Sequence, residues 1–218
     1  MTWSYFLDGG SSLRLAVALG LMLTVPGWAL LGLTPVWKEW PVLRRWAVAI
    51  ALSIAVFPVL YYAARVAAPG LRLGPWTLRI GLLAAGVAAL WQWRGRWRAQ
   101  LAFTPLEWVA LGVLAVTLFT RFWIIREVPF PPSPDSLHHA LITRLTAEQG
   151  RLPETLAPYA PVPLDLYHLG LHALAAAAAN LAQAPAHTAL LWMAQALNGL
   201  CGLGISVVLA DKASRLGG

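Results

Sequence analysis

The chain has 218 residues, of which 59% are hydrophobic and 11% are charged. Soluble domains carry roughly 25% charged residues, so the composition excludes an ordinary water-soluble protein and predicts an integral membrane protein. The formal net charge of +7 comes from short basic clusters beside apolar runs. That pattern is typical of membrane loops and argues against a nucleic-acid partner.

Five apolar segments are long enough to cross a hydrocarbon core of about 30 Å as helices, since each helical residue rises about 1.5 Å. These segments are 13–34, 46–68, 76–93, 108–125 and 188–210. Prolines within the first two segments are expected to kink their helices. Many tryptophans fall at segment ends, where they are expected to act as interface anchors. We therefore predict an all-α, polytopic fold with one transmembrane domain over residues 1–218.

Three basic clusters predict the topology, because positively charged loops are retained in the cytoplasm. The clusters are Lys38, Arg44 and Arg45; Arg94, Arg96 and Arg98; and Lys212 and Arg215. All three are cytoplasmic only if segment 166–182 does not cross the membrane. The pattern therefore favours five transmembrane helices, or six if this alanine-rich segment spans. We expect the N-terminus and the loop 128–183 outside the cell membrane, and the C-terminus inside.

The outer loop 128–183 is expected to hold two amphipathic surface helices. Ser133 before Pro134 is a helix start signal and Gly150 is a stop signal, which predicts a helix over 134–149 with Leu137, Leu141, Ile142 and Leu145 on one side. Four prolines predict that 151–165 is an extended strap. The second helix, 166–182, carries polar residues that weaken its insertion, so it is expected to lie at the membrane surface.

Asp135 and the histidines near it are the strongest candidates for chemistry. His138 and His139 follow Asp135 by three and four residues, so all three can face one volume beside a helix. A carboxylate at a helix N-terminus is stabilised in its charged form, which suits a base or a metal ligand. The alternative is that Asp135 only starts the helix and that both histidines are solvated.

Two other features could bind a ligand. His168 and His172 are four residues apart and could hold a metal ion, or serve as an axial ligand to a haem or chlorophyll. Arg126, near the outer end of the fourth apolar segment, could bind a phosphate through its planar guanidinium. Its alternative role is snorkelling to lipid phosphates.

Short motifs resemble the N-terminal part of bacterial membrane glycosyltransferases of the GT-C superfamily. They are Pro134-Asp135-Ser136-Leu137-His138-His139, Gly150-Arg151-Leu152-Pro153, Tyr167-His168-Leu169-Gly170-Leu171-His172-Ala173-Leu174 and Ala213-Ser214-Arg215-Leu216, together with the early Pro26-Gly27 and a second helix that contains Ser53. The resemblance implies sugar transfer from a polyprenyl-phosphate-linked donor at the outer face of the bacterial inner membrane.

In this resemblance Asp135 matches the acidic active-site position, and Asp165 matches a second polar position. The substrate is then expected to contact the neighbouring side chains His138, His139, Arg126, Tyr167 and His168. The resemblance leaves a divalent metal cofactor open. Because superfamily members have more spanning helices, the chain is expected to be incomplete alone and to act with other membrane chains. The alternative is a non-catalytic subunit that scaffolds a larger membrane complex.

Overall fold

The computed structural model describes residues 9–133, 135–165 and 167–216, with backbone alone for Val36, Trp97 and residues 209–216. Nine α-helices and one short 3₁₀ turn lie within these ranges, and no β-strand does. The helices are α1 Gly9–Met22, α2 Val25–Leu31, α3 Val42–Val66, α4 Pro75–Trp93, α5 Trp97–Gln100, α6 Pro105–Ile125, α7 Ser136–Gln149, α8 Gly170–Ala182 and α9 Ala186–Leu216. The prediction of an all-α fold is confirmed.

Four stretches of the described chain are long and apolar enough to cross a membrane. They are Gly10–Leu31 (α1 with α2), Val42–Val66 (α3), Pro105–Ile125 (α6) and Ala186–Val208 (in α9). Helix α4, with 19 residues, is also long enough, but Arg79 and Gln92 make it less apolar. Transmembrane character is therefore supported for four of the five predicted segments, and the fifth span stays a prediction.

Helix α2 makes a close contact with α3 at Gly27, just after the break that separates it from α1. Helix α1 ends at Met22, and α2 begins at Val25 with Pro26 in its first turn. The N–H of Gly27 donates a 2.7 Å hydrogen bond to Oγ of Ser53 in α3. A side chain at position 27 would overlap the carbonyl oxygen of Ala49, so only glycine allows this approach. The expected kink is thus a break between α1 and α2.

Tryptophans form a packed cluster at the end of the bundle where α2, α3 and α4 meet. Trp28 lies edge to face with Trp46 and Trp93, at centroid distances of 5.1 and 4.8 Å, and Trp37 lies 4.4 Å from Trp93. Indole Nε1 of Trp93 donates to the Trp28 carbonyl at 3.0 Å. Trp37 and Trp93 are buried in this cluster, so the expected role of lipid-interface anchor is wrong for these two residues. Trp76, by contrast, is 73% exposed.

The first two basic clusters lie beside these tryptophans, at the same end of the bundle. Arg45 donates to Oε1 of Gln100 at 3.1 Å, and its guanidinium lies 5.4 Å from the ring centre of Trp37. Arg96 approaches the same ring at 5.9 Å. The first two clusters therefore lie at one end of the bundle, which is what we expect if both are on the same side of the membrane. The side chains of the third cluster, at residues 212 and 215, are outside those described.

Helix α8 lies across the opposite end of the bundle. Asp165, just before α8, pairs with Arg65 at the end of α3. Near the other end of α8, the Leu181 carbonyl accepts a 3.4 Å hydrogen bond from Arg79 in α4. Because α3 and α4 are joined at this end by residues 67–74, both ends of α8 lie there. Helix α7 covers the same end, where the Gly150 carbonyl accepts from the N–H of Leu73 at 2.7 Å.

The helix expected over 166–182 differs from the prediction in where it starts and in how deeply it is buried, and its location at the membrane surface stays a prediction. The helix begins at Gly170, with residue 166 outside the described chain, and nine of its 13 residues are buried. It contacts α1, α3, α4, α7 and α9. Small alanine side chains permit this close approach from several sides. Helix α8 is therefore a central packing element of the protein.

Helix α7 agrees with the predicted helix over 134–149, except that it starts at Ser136 and residue 134 is not described. It ends at Gly150, whose φ of 65° is the left-handed conformation that glycine adopts most easily. Its apolar side is only partly as expected: Ile142 and Leu145 are buried, whereas Leu137 is 68% exposed. Residues 151–165 form an irregular strap, but the expectation that it is extended is wrong. The N–H of Leu156 donates to the Val162 carbonyl and the N–H of Leu164 donates to the Glu154 carbonyl, so the strap folds back on itself.

Candidate functional site

Two histidines from different helices are in direct contact where α7 crosses α8. Nδ1 of His139 lies 2.9 Å from Nε2 of His172. The ring planes differ by 16° and the ring centres are 5.1 Å apart. The distance between the ring centres is close to the N···N distance plus the radius of each ring. The two nitrogens therefore lie near the line that joins the ring centres. The rings are therefore nearly coplanar, edge to edge, which is the geometry of an in-plane N–H···N hydrogen bond.

This geometry differs from that of a metal site built on the same two nitrogens. In a tetrahedral metal site two ligand nitrogens are about 3.3 Å apart, because each metal–nitrogen bond is about 2.0–2.1 Å, and their lone pairs point at the metal rather than at each other. Within the described chain, no group of three His, Cys, Asp or Glu side chains could hold a metal ion. His168 and His172 were also expected as a pair of metal ligands. Nε2 of His172 is in contact with His139, so this nitrogen is not open to a metal ion.

His172 is enclosed by the protein, with 1% of its surface exposed. Burial, and to a smaller extent the neighbouring His139, lower the pKa of its imidazole to about 4, and the backbone of His168 partly opposes them. His172 is therefore neutral near pH 7. A neutral imidazole has one N–H donor and one nitrogen acceptor, so its contact with His139 requires a definite arrangement of protons.

Tyr167 lies over the histidine pair at the exposed side. Its ring centre is 6.1 Å from that of His139 and 5.8 Å from that of His172. Tyr167 and His139 were both predicted to contact substrate, and the structure brings them together. A ligand at this point would meet an aromatic face and an imidazole edge.

Asp135 stands at the start of α7, on the same helix face as His139. Its main-chain carbonyl accepts from the N–H of His139 at 3.1 Å, whereas its side chain makes no capping hydrogen bond. The turn is instead held by Ser136, whose Oγ accepts from the N–H of Ser133 at 3.1 Å. Among the described residues, the exposed Asp135 carboxylate has no ion-pair partner. It is therefore accessible to solvent and to a ligand.

The remaining predicted site residues lie outside this cluster. Asp165 forms a 3.1 Å ion pair with Arg65, which fastens the strap to α3. Arg126 pairs with Glu127 at 2.8 Å, and its guanidinium lies 4.0 Å from the ring centre of Trp123. These contacts give Asp165 and Arg126 local structural roles.

His138 and His168 are both exposed, and no hydrogen bond of their side chains is seen within the described chain. Prediction of the site missed His172 as a partner of His139. The spacing of His168 and His172 drew attention to this residue, but only for a metal or haem. A contact between two helices cannot be inferred from spacing within one helix.

Two grooves lie elsewhere on the described surface. One, of about 540 Å³, lies between α7 and the start of α9 and is lined by residues that include Phe130, Arg144, Asn180 and His187. Arg144 pairs with Glu148 on its rim at 2.6 Å. The other, of about 470 Å³, lies between α1, α6 and α9 and is almost wholly apolar. The first could receive a polar group and the second a hydrocarbon chain.

Comparison of the chain with protein-family models, curated proteins and solved structures gives no match. The described part of the chain is all-α, and four of its helical stretches are long and apolar enough to span a membrane. At one end of its bundle are an unpaired carboxylate, a histidine pair and a tyrosine.

Proposed function

We propose that the chain is a GT-C-like membrane glycosyltransferase module that acts on a lipid-linked sugar at the outer face of a bacterial inner membrane. The observation that carries this proposal is the Asp135 carboxylate, exposed and without an ion-pair partner among the described residues, on the same helix face as His139. An unpaired carboxylate beside aromatic and imidazole side chains suits recognition of a hydroxyl-rich ligand. Other membrane chains would complete the enzyme.

The proposed reaction transfers a sugar from a phosphate-linked lipid to an acceptor hydroxyl. The acceptor oxygen attacks the anomeric carbon, and the bond from that carbon to the phosphate oxygen breaks. The electron pair of that bond leaves with the phosphate, and the hydroxyl proton passes to a base. Asp135 contacts the acceptor as that base or holds a divalent ion at the site. Tyr167 and His139 orient the sugar.

The apolar groove supports a lipid substrate or partner. Leu19 and Leu23 of α1, Phe122 of α6, and Trp192 and Leu200 of α9 are among its lining residues. All three helices contain stretches long and apolar enough for a membrane, so hydrocarbon chains would surround the groove. A lipid tail could bind there while its polar group reaches the Asp135 end.

The proposed orientation follows from the basic residues. Arg45 and Arg96 lie at the tryptophan end of the bundle, and Asp135 lies in the segment that covers the other end. If the basic end is cytoplasmic, the Asp135 end faces outward. This orientation agrees with use of a lipid-linked donor at the outer face.

Replacing Asp135 tests this function. In a reconstituted assay with a lipid-linked sugar and candidate partner chains, Asp135→Asn should lower turnover about 100-fold or more, the usual contribution of a positioned base. Glu154→Gln is the matched control, because it removes an exposed carboxylate from the strap and should leave turnover unchanged. Equal turnover of Asp135→Asn and the unaltered protein would exclude Asp135 from the mechanism.

One observation favours a scaffolding subunit as the second candidate. Only 6% of the apolar window in α6 is buried, against 44% in the first span. Val109, Val113 and Val116 are among its exposed residues and could pack against another membrane protein as well as lipid. A purified chain that remains a monodisperse monomer in nanodiscs, with transfer activity of its own, would contradict this role.

A further inference from the structure

Ion pairs between described residues occur at only one end of the bundle. They are Arg65 with Asp165, Arg126 with Glu127 and Arg144 with Glu148. All of them lie at the end that α7 and α8 cover. The tryptophan end carries two basic clusters, and the carboxylate side chains that the structure describes there are Glu39 and Glu107. Glu107 is engaged by backbone N–H groups, so positive charge is in excess at this end.

Four exposed basic side chains form a surface around the tryptophan cluster. They are Lys38, Arg94, Arg96 and Arg98, and together they are called the basic surface below. None of the four belongs to an ion pair within the described chain. Arg45 at the same end is different, because its guanidinium donates to the Trp40 carbonyl at 2.8 Å and to Oε1 of Gln100 at 3.1 Å. The basic surface therefore has positive charge that an outside anion can neutralise.

The turn that carries three of these arginines is held firmly in place. It passes through Gly95, whose φ of 74° is left-handed, and the N–H of Arg96 donates to the Trp93 carbonyl at 2.9 Å. Indole Nε1 of Trp46 in α3 donates to the Gln100 carbonyl at 3.0 Å, which ties the end of α5 to α3. A backbone fixed in this way loses little conformational freedom when a ligand binds.

Trp91 and Arg94 indicate where this surface lies relative to the membrane. Trp91 is in the last turn of α4 and is 65% exposed, and the Arg94 guanidinium lies 5.2 Å from its ring centre. Indole rings prefer the boundary between hydrocarbon and headgroups, and a guanidinium binds phosphate through two N–H groups. Helices α3 and α6, both long and apolar enough to span a membrane, begin at the same end. Arg94 is therefore expected at the depth of lipid phosphates.

We propose that the basic surface is a binding site for an anionic phospholipid. The phosphate lies beside Arg94 and Arg96, and one acyl chain follows α4 past Trp91 along the exposed side chains of Leu90 and Val87. A zwitterionic phospholipid brings a cationic group together with its phosphate, so the excess positive charge discriminates against it. The site lies at the opposite end of the bundle from Asp135 and does not depend on sugar transfer.

Spin-labelled lipids in nanodiscs test this site. The unaltered protein should bind phosphatidylglycerol more tightly than phosphatidylcholine, measured as the fraction of each probe whose motion the protein restricts. Arg94→Gln, Arg96→Gln and Arg98→Gln together should lower the ratio of the two association constants about 10-fold or more, because each basic residue near an anionic surface strengthens binding about five-fold. No preference in the unaltered protein, or an unchanged ratio in the triple variant, would overturn the proposal.

A matched variant and a soluble anion separate this site from general charge effects. Arg14→Gln, Arg72→Gln and Arg151→Gln together remove the same charge away from the basic surface and should leave the ratio unchanged. An equal loss in this control would contradict a localised site. Displacement of phosphatidylglycerol by inorganic phosphate would assign the surface to a soluble anion instead.

A single substitution covers the case in which the triple variant does not fold. Arg94→Gln removes only the guanidinium beside the exposed Trp91 ring, and it should lower the ratio about five-fold. Arg94→Lys keeps the positive charge and should restore most of the preference for phosphatidylglycerol. A full preference in Arg94→Gln would exclude Arg94 from the site.

Discussion

Glu107 in the first turn of α6 accepts a 2.7 Å hydrogen bond from the N–H of Leu43 in the first turn of α3. Its other carboxylate oxygen accepts from the N–H of Thr104 at 2.8 Å, and Oγ1 of Thr104 accepts from the N–H of Glu107. One carboxylate thus closes the capping box of α6 and also caps α3. This contact joins two membrane-spanning candidates at the tryptophan end.

Removing this shared cap should destabilise the protein more than removing an ordinary cap. Glu107→Ala leaves N–H groups at two helix starts without an acceptor, and we expect a loss of about 2 kcal/mol or more in the free energy of unfolding. Thr104→Ala affects α6 alone and should cost about 1 kcal/mol. Denaturant unfolding in detergent measures both. Equal losses would contradict the shared role of Glu107.

The close approach of α2 and α3 gives a second prediction. Gly27→Ala places a methyl group against the Ala49 carbonyl and disturbs the bond to Ser53, so it should lower stability by about 1–3 kcal/mol or more. Gly20→Ala is the control, because an added methyl there meets nothing within 4 Å. The control should leave the melting temperature unchanged or raise it, since alanine favours helix. Equal melting temperatures of the two variants would contradict the close approach of α2 to α3 at Gly27.

His172 should make stability depend on pH. Its pKa falls from 6.5 in the unfolded chain to about 4 in the fold, so the unfolded state binds the proton first as pH decreases. The contribution to stability is complete above pH 6.5 and is lost as pH falls toward 4. The total loss is on the order of 3 kcal/mol.

Unfolding measured between pH 6.5 and pH 4 tests whether stability falls as the pH falls, and whether His172 causes the fall. His172→Leu should remove most of the slope, whereas His138→Gln, at an exposed position, should retain it. A slope that survives in His172→Leu would assign the effect to another group.

Cysteine labelling tests the proposed orientation. With Cys201→Ser as background, Glu154→Cys introduces a thiol in the strap, and Arg98→Cys introduces one at the tryptophan end. On intact cells, a membrane-impermeant thiol reagent should label Glu154→Cys but should label Arg98→Cys only after permeabilisation. If both variants were labelled before permeabilisation, the strap and the tryptophan end would not lie on opposite sides of the membrane.

The parts of the fold that could be predicted from the sequence are those set by local chemistry. The stop at Gly150 follows from the left-handed backbone that glycine adopts, and the strap follows from its prolines. The apolar spans follow from length and composition. Each of these signals acts within one stretch of chain, so no knowledge of neighbouring helices is needed.

Contacts between distant segments account for what could not be predicted. Asp165 and Arg65 are 100 positions apart, so their ion pair has no local signature. His139 and His172 lie on different helices, and only packing brings their nitrogens together. Helix α8 contains alanines that predict weak membrane insertion, yet the same small side chains suit a helix enclosed by others. Composition alone does not distinguish these outcomes.

The alanine run of α8 has a consequence for the histidine pair. Ala175, Ala176, Ala177 and Ala178 are each fully buried, and successive helical residues point about 100° apart, so together they reach every side of the helix. Helix α8 is here nearly as thin as a helix with side chains can be. The small diameter of α8 therefore lets α7 pack close to it while α8 also contacts α1, α3 and α4. A larger side chain on the face toward α7 would push the two helices apart and weaken the hydrogen bond between His139 and His172.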